Sequence, residues 1–301
     1  MFKIINFTLS LILITSCSSI KPIAAKKIEK KTKQVLVKKI SEVIVRPGKV
    51  KYVEFDINLE DGKWLINCKG IDTAIIVEKK KARLFMSENY FSDLKPFFCT
   101  YKDNIDKKKV LFVKVKSFPY KSEKLNVDKK RIDISKKNLE RHWREKAILK
   151  KVYKSSASYF LFDKPFKKPL ASFVTSHYGN RRVFNNKKKT QHFGNDLRAA
   201  VGKPIPVSNK GKVVFIGDLF FSGNVVIVDH GLNIFTTYGH LSKIEVTVGM
   251  VLNQGEIVGL AGATGRVSGP HLHWGVKING NWVDGFSLID ESRKAAWHEL
   301  H

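Results

Sequence analysis

The sequence predicts an all-β protein whose C-terminal part is an antiparallel β domain. Between residues 41 and 119 short apolar runs alternate with turn residues. From about Leu170 glycines become frequent and strand-like runs recur without a helical period. One segment, beginning at Ser135, has the apolar spacing of a helix. Because apolar periodicity is the main local signal for secondary structure, these three observations predict two β domains with a helix between them.

The N-terminal domain is predicted from short strands that end at turn signals. Residues 43–45 precede Pro47-Gly48, and the alternating run 52–57 precedes Asp61-Gly62. Strands at this spacing are typical of a small β-sandwich-like domain.

The connecting helix has a start signal and stop signals. Ser135 is suited to cap its N-terminus, and Pro165 and Pro169 forbid continuation beyond the linker. The apolar residues of one face should pack against a flanking domain; they are Leu139, Trp143, Ala147, Ile148 and Val152.

The first residues indicate export. Lys3 precedes an apolar run, residues 4–14, which is too short to span a bilayer but fits a signal peptide. The run ends at Thr15-Ser16-Cys17, which resembles the bacterial lipobox. We therefore expect a membrane-anchored lipoprotein of the bacterial envelope, held by lipidated Cys17 and facing the periplasm in a Gram-negative cell. An ordinary signal peptide cleaved near Ser16, or a buried strand, would fit the same residues.

Export permits a disulfide between Cys68 and Cys99, although two free buried cysteines fit the sequence equally well. The predicted organisation is a lipoprotein signal peptide (1–16), a lysine-rich tether (17–40), an N-terminal β domain (41–119), a linker with a helix (120–164), a C-terminal β domain (165–290) and a C-terminal tail (291–301).

The chain is strongly basic, with 55 lysines and arginines against 27 acidic residues. This excess favours contact with anionic envelope polymers or headgroups, although a lysine-biased genome would produce it too. The sequence has no zinc-finger spacing, aromatic RNA-binding signature or basic heptad helix, so we expect no nucleic-acid partner.

Five histidine and aspartate residues stand out in the C-terminal domain. His192 and Asp196 are four positions apart, and His271 and His273 form a His-x-His pair. His240 lies between them in sequence, within Tyr-Gly-His-Leu. Residues two apart on a strand share a face, so His271 and His273 can project into one cleft. Two imidazoles and one carboxylate suit zinc and leave a fourth position for water.

These motifs, in this order, resemble the lysostaphin/LytM-type zinc metallopeptidases, which cleave peptide cross-links in bacterial cell walls. The resemblance rests on Ser176–Arg181, His192–Asp196, Tyr238–Ser242 and Gly259–Gly275. It implies a duplicated-hybrid-motif-like fold, a Zn2+ cofactor and a peptidoglycan peptide substrate. It also implies metal ligands at His192, Asp196 and His273, with His240 and His271 as unliganded catalytic histidines.

Within that resemblance we expect His271 to be the general base and His240 to stabilise the oxyanion or assist proton transfer, with the two roles open to exchange. The glycine-rich residues 262–269 are expected to form one groove wall or a simple hairpin turn. Phe220, Phe221 and Tyr238 are expected to form the opposite wall or part of the core. Two positions depart from the family pattern: Asn195 replaces a common aliphatic residue, and Val283-Asp284-Gly285 replaces a common ending with proline.

Two other functions compete with the peptidase. One is a non-catalytic LytM-like envelope regulator or wall-binding lipoprotein on the same fold, and the other is a structural lipoprotein holding an anionic polymer. Residues 41–154 could in addition cover the groove and restrain activity, or position a substrate or partner.

Overall fold

A computed structural model describes residues 40–102, 107–125, 134–184 and 188–295. The signal peptide, Cys17, nearly all of the predicted tether and the last residues of the predicted tail lie outside these ranges. Within them the protein is mostly β, as predicted, with two helices. Neither helix combines the length and the apolar content needed to cross a bilayer, in the part of the chain that the structure describes.

The N-terminal domain is one seven-stranded sheet in the order β1-β7-β6-β3-β4-β5-β2. The predicted sandwich-like domain is thus a single sheet, and it curves so that its two edge strands, β1 and β2, lie next to each other. A disulfide joins Cys68 and Cys99, which face each other across β3 and β6. The strands are β1 (Ser41–Val45), β2 (Val50–Asp56), β3 (Gly62–Cys68), β4 (Ile71–Glu78), β5 (Lys81–Ser87), β6 (Phe97–Lys102) and β7 (Lys107–Val115).

The linker contributes a strand and a helix. Strand β8 (Ser122–Leu125) pairs in parallel with β10 (Arg181–Phe184) of the C-terminal domain. Helix α1 (Lys136–Val152) begins as predicted, because the Ser135 hydroxyl accepts a hydrogen bond from the Asn138 N–H at 3.3 Å.

The face on which α1 packs differs from the predicted one. Leu139, Trp143 and Ile148 are 42%, 55% and 51% exposed. The helix instead turns a polar face toward the C-terminal domain, and Glu145 and Arg141 bond there to residues 218–220. Apolar spacing gave the wrong face because polar contacts of Arg141 and Glu145 help to orient α1. The apolar contact is made by Leu149, outside the predicted set, which packs against the cluster of Val225, Ile227 and Phe235.

The C-terminal domain is an antiparallel ten-stranded sheet with a small three-stranded sheet beside it. Its core includes Phe162 and Phe166, both 1% exposed, so the end of the linker is built into this domain. Its elements are β9 (Val174–Ser176), β10 (Arg181–Phe184), β11 (Lys188–Gln191), β12 (Asn195–Arg198), β13 (Pro204–Pro206), β14 (Gly211–Leu219), β15 (Gly223–Asp229), β16 (Ile234–Ile244), β17 (Val251–Leu252), β18 (Ile257–Ala261), β19 (His271–Ile278), β20 (Asn281–Val283) and α2 (Gly285–Ser292).

Helix α2 was not predicted from the sequence, which indicated an all-β domain up to residue 290. It joins the two domains, because two of its side chains bond to backbone N–H groups of edge strand β2. The Val50 N–H donates to the Ser287 hydroxyl at 3.0 Å, and the Tyr52 N–H donates to the Glu291 carboxylate at 3.0 Å. Edge strands carry unpaired N–H groups that can recruit other chains, and α2 covers part of this edge.

Candidate metal centre and active-site groove

Strand pairing brings the predicted metal ligands together. Asp196 on β12 lies directly opposite His273 on β19. His192 lies just before β12, after the end of β11. One ligand atom from each of the three residues lies within 4.8 Å of the others. The sequence-predicted set therefore converges on one point of the sheet.

The three ligand atoms form a compact triangle. Asp196 Oδ1 is 3.0 Å from His192 Nε2 and 2.9 Å from His273 Nδ1, and the two nitrogens are 3.3 Å apart. Ligands at 2.0–2.1 Å from a tetrahedral zinc ion would be separated by about 3.3 Å. The two imidazole nitrogens face each other across one carboxylate oxygen, so the donor set fits a zinc ion.

The surrounding chain fixes the rings of this centre. His192 Nδ1 is 3.1 Å from the backbone carbonyl of His177, which orients the ring with Nε2 toward Asp196. The His273 ring lies against Gly194, where a Cβ would come within 2.4 Å of the imidazole. Any larger residue at position 194 would therefore displace His273.

The charge of Asp196 is stabilised by its neighbours. Burial by itself would raise the pKa of its carboxyl, but hydrogen bonds and attraction from His192 and His273 outweigh burial and hold that pKa well below its usual range. Burial is also the main cause that lowers the pKa of His273. A charged carboxylate beside a neutral imidazole is the protonation state that metal binding requires.

His240 and His271 lie beside the triangle, as predicted from their motifs. Their ring centroids are 4.8 Å apart, and His271 Nε2 is 3.6 Å from Asp196 Oδ1. His240 is 7% exposed and has a φ of 63°. Its backbone N–H donates to the Ser222 carbonyl at 2.7 Å. Burial, with a smaller contribution from His273, lowers the pKa of His240 to about 4, so its imidazole is neutral near pH 7.

Backbone carbonyls also hold these two rings. His240 Nδ1 is 2.8 Å from the Thr264 carbonyl, and His271 Nδ1 is 2.9 Å from the Gly269 carbonyl. A neutral ring that donates from Nδ1 keeps a lone pair on Nε2. Each histidine can therefore accept a proton, or donate one after protonation, at Nε2.

The five residues line a groove of about 1530 Å3. Residues 265–268 and Phe220 and Phe221 all line the groove, as predicted. The two segments adjoin instead of forming opposite walls, because the backbone N–H of Arg266 donates to the Phe221 carbonyl at 3.1 Å. Tyr238 belongs to the core: it is fully buried, and its hydroxyl accepts the Ser208 N–H. Three further residues that the sequence did not indicate also line the groove: Asn138 and Arg141 of α1, and Trp282.

Comparison with known proteins agrees with this geometry. Residues 190–285, which contain all five residues, match the model of peptidase family M23. The chain carries an M23 peptidase domain. Over 112 residues it is 38% identical to the peptidoglycan DD-endopeptidase ShyA of Vibrio cholerae, a match that covers 37% of this chain and 26% of that protein.

A second relative of the M23 domain is the DD-carboxypeptidase/endopeptidase Mpg of Neisseria meningitidis. It is 39% identical over 97 residues, which cover 32% of this chain and 22% of Mpg. The matched segment therefore spans about a quarter of the length of these curated relatives.

One solved structure resembles more than the M23 domain. A crystal structure described as a peptidase M23 from Pseudomonas aeruginosa superposes with a TM-score of 0.60 at 27% identity. The match covers 81% of this chain and 95% of the other. The similarity therefore extends beyond the M23 domain into the part of the chain that precedes it.

Proposed function

We propose that this protein is a zinc-dependent endopeptidase that hydrolyses peptide bonds in peptidoglycan stem or cross-link peptides during cell-wall remodelling. The observation that carries the proposal is the triangle of His192, Asp196 and His273 with two unliganded histidines beside it. The relatives named for peptidoglycan endopeptidase activity support the substrate class.

The ligand set favours zinc as the metal. Two neutral imidazoles and one carboxylate are a common catalytic zinc set, and they leave a coordination position for water. A zinc ion held there would acidify that water and polarise the scissile carbonyl. The remaining steps belong to side chains of this protein.

His271 is the proposed general base. Its Nε2 lies 3.6 Å from the Asp196 oxygen, beside the proposed metal position, and its Nδ1 is occupied by the Gly269 carbonyl. It can take a proton at Nε2 and return that proton to the departing amine. The His240 ring centroid lies 4.8 Å from that of His271 and 5.8 Å from that of His273. His240 would stabilise the developing oxyanion or share the proton transfer, and the two roles could be exchanged.

We further propose that the protein acts outside the cytoplasm, exported by residues 1–16 and held to the membrane by a lipid on Cys17. The disulfide between Cys68 and Cys99 is consistent with an oxidising compartment. The basic surface would allow additional contact with anionic envelope polymers.

Digestion of purified peptidoglycan tests the reaction, the bond and the metal together. We expect the protein to release new peptide ends, identified by mass spectrometry, to lose this activity with a chelator and to regain it with zinc. Asp196→Ala should lose both zinc and activity. Binding of intact peptidoglycan by the zinc-loaded protein without any cleavage would instead identify a non-catalytic wall-binding or regulatory protein.

A further inference from the structure

The outward side of helix α1 is basic, and its apolar residues have no place in the core. A stripe at positions i, i+3, i+7, i+10 and i+14 faces away from the M23 domain; we call it the outer stripe, and it consists of Lys136, Leu139, Trp143, Lys146 and Lys150. The opposite side of the helix is held to the M23 domain through Arg141 and Glu145. The fold therefore uses one side of α1 and leaves the outer stripe in solvent.

The centre of the outer stripe is apolar and its surroundings are cationic. Trp143 and Leu139 remain 55% and 42% exposed, and the Lys146 ammonium lies 4.7 Å from the Trp143 ring centroid. Glu140 is the one exposed acidic residue of α1, against six exposed cations: Lys136, Lys137, Arg144, Lys146, Lys150 and Lys151. Tryptophan and leucine flanked by lysine and arginine form the composition of helices that lie in the plane of a membrane interface.

We propose that the outer stripe docks onto an anionic phospholipid surface, with Trp143 and Leu139 at the headgroup level and the lysines on the phosphates. Tryptophan favours this level because its ring is apolar and its N–H is polar. Anionic headgroups attract juxtamembrane lysine and arginine, and the attraction is screened by salt. The positive charge of the stripe and the negative charge of the surface are complementary, so their contact is electrostatically favourable.

Other occupants fit the stripe less well. A second copy would bring one cationic stripe against another, at an electrostatic cost. An anionic polysaccharide would pair with the lysines but offers no apolar layer in which Trp143 and Leu139 could both be buried. A lipid surface satisfies both halves of the stripe.

Docking has a consequence for the groove. Asn138 and Arg141, on the other side of the same helix, line the groove. A membrane-bound α1 would hold that wall of the groove at a fixed distance from the bilayer. The inference itself does not require the proposed peptidase activity, because it concerns the helix surface alone.

Fluorescence quenching by labelled lipids tests the contact. The full chain carries Cys17→Ser so that no lipid anchor contributes, and it is mixed with phosphatidylcholine–phosphatidylglycerol vesicles whose phospholipids bear a quencher near the headgroup. We expect the vesicles to quench part of the tryptophan emission. Trp143→Phe should abolish that quenching, whereas the matched variant Trp64→Phe, in the N-terminal sheet, should retain it. Vesicles of phosphatidylcholine alone should quench little.

Binding strength gives a second, independent measurement. Leu139→Ser combined with Trp143→Ser should raise the vesicle Kd by at least about tenfold, since the interfacial affinity depends on buried apolar area. Lys136→Gln combined with Lys150→Gln should also raise it and reduce its salt dependence. Unchanged thermal unfolding of both variants would show that the fold is retained.

Three results would overturn the lipid assignment. The first is quenching that persists in Trp143→Phe, and the second is equal binding of the doubly substituted serine variant to the vesicles. The third is a Trp143-dependent gain in self-association or in binding to purified sacculi without any vesicle quenching, which would assign the stripe to a second copy or to a wall polymer.

Discussion

Three of the five site side chains are oriented by backbone carbonyls: His192 and His240 by carbonyls of distant segments, and His271 by the carbonyl two residues before it. The Nδ1 atoms of His192, His240 and His271 lie within 3.1 Å of the carbonyls of residues 177, 264 and 269. In each ring Nε2 is thereby left for the centre of the groove, whereas His273 presents Nδ1 to Asp196. The orientation of these rings therefore depends on the backbone path of the chain that supplies each carbonyl.

Replacing either unliganded histidine should separate catalysis from metal binding. We expect His240→Ala and His271→Ala each to lower kcat on peptidoglycan fragments by about 10²- to 10⁴-fold, the usual contribution of acid–base groups. Zinc content, measured by elemental analysis, should stay at the level of the unsubstituted protein. Lys243→Ala, an exposed position on the same strand as His240, is the control and should retain full activity. Loss of zinc from His240→Ala or His271→Ala would make that residue a ligand and contradict its assigned role.

The residues of the site could be predicted from sequence because each lies in a short motif, but their orientation could not. Thr264, whose carbonyl holds His240, is 24 positions away in the chain. The contact exists because residues 264 and 265 pack against Gly223, where a Cβ would come within 2.3 Å of Thr264. Such a close approach depends on the path of two separate turns, and local spacing carries no signal of it.

At the scale of elements, helix α1 supports one wall of the groove. The Glu145 carboxylate accepts the Phe220 N–H with both oxygens, at 3.0 and 3.1 Å. Two residues further on, the Ser222 carbonyl accepts the His240 N–H at 2.7 Å. The helix is therefore connected to a proposed catalytic residue through a single turn of the chain.

Removing the Glu145 carboxylate should loosen this wall. A hydrogen bond to a charged group contributes about 1.5–3 kcal/mol, so we expect Glu145→Ala to lower kcat/KM on a soluble muropeptide by about tenfold or more. The zinc content should not change. Lys146→Ala, one position along on the exposed side of α1, is the matched control and should leave the kinetics unchanged. Equal kcat/KM for the two variants would show that α1 contacts the groove without shaping it.

Helix α1 also shows how far the sequence predicts an element. Its start at Ser135 was predictable because capping is local chemistry. Its packed face was not, since Glu145 bonds to a backbone N–H and Arg141 to Asp218, and neither partner leaves a periodic apolar pattern. The same limit explains the missed helix α2, a segment of eight residues capped by Asp284 and interpreted from sequence as the end of a β domain.

At the scale of the whole molecule, the two departures from the family pattern belong to one network. The Asn195 amide is fully buried and donates to Asp284 Oδ1 at 3.1 Å, while its oxygen accepts the Tyr178 N–H. Asp284 also caps α2 through the Phe286 N–H, and it binds the Lys49 ammonium of the N-terminal domain at 2.7 Å. Asn195, one departure, is thus hydrogen-bonded to Asp284, which lies within the segment of the other departure.

This coupling predicts a cost for restoring the aliphatic residue. Asn195→Leu would leave Asp284 and the Tyr178 N–H each short of a partner in a buried place, so we expect the free energy of unfolding to fall by about 1–3 kcal/mol. Because Asp284 would already have lost that partner, adding Asp284→Ala should cost less in the Asn195→Leu background than in the original protein. Asn58→Leu, at an exposed amide, should change stability by less than about 0.5 kcal/mol. Chemical denaturation of the four variants measures the coupling, and strictly additive costs would mean that Asn195 and Asp284 stabilise the domain pair independently.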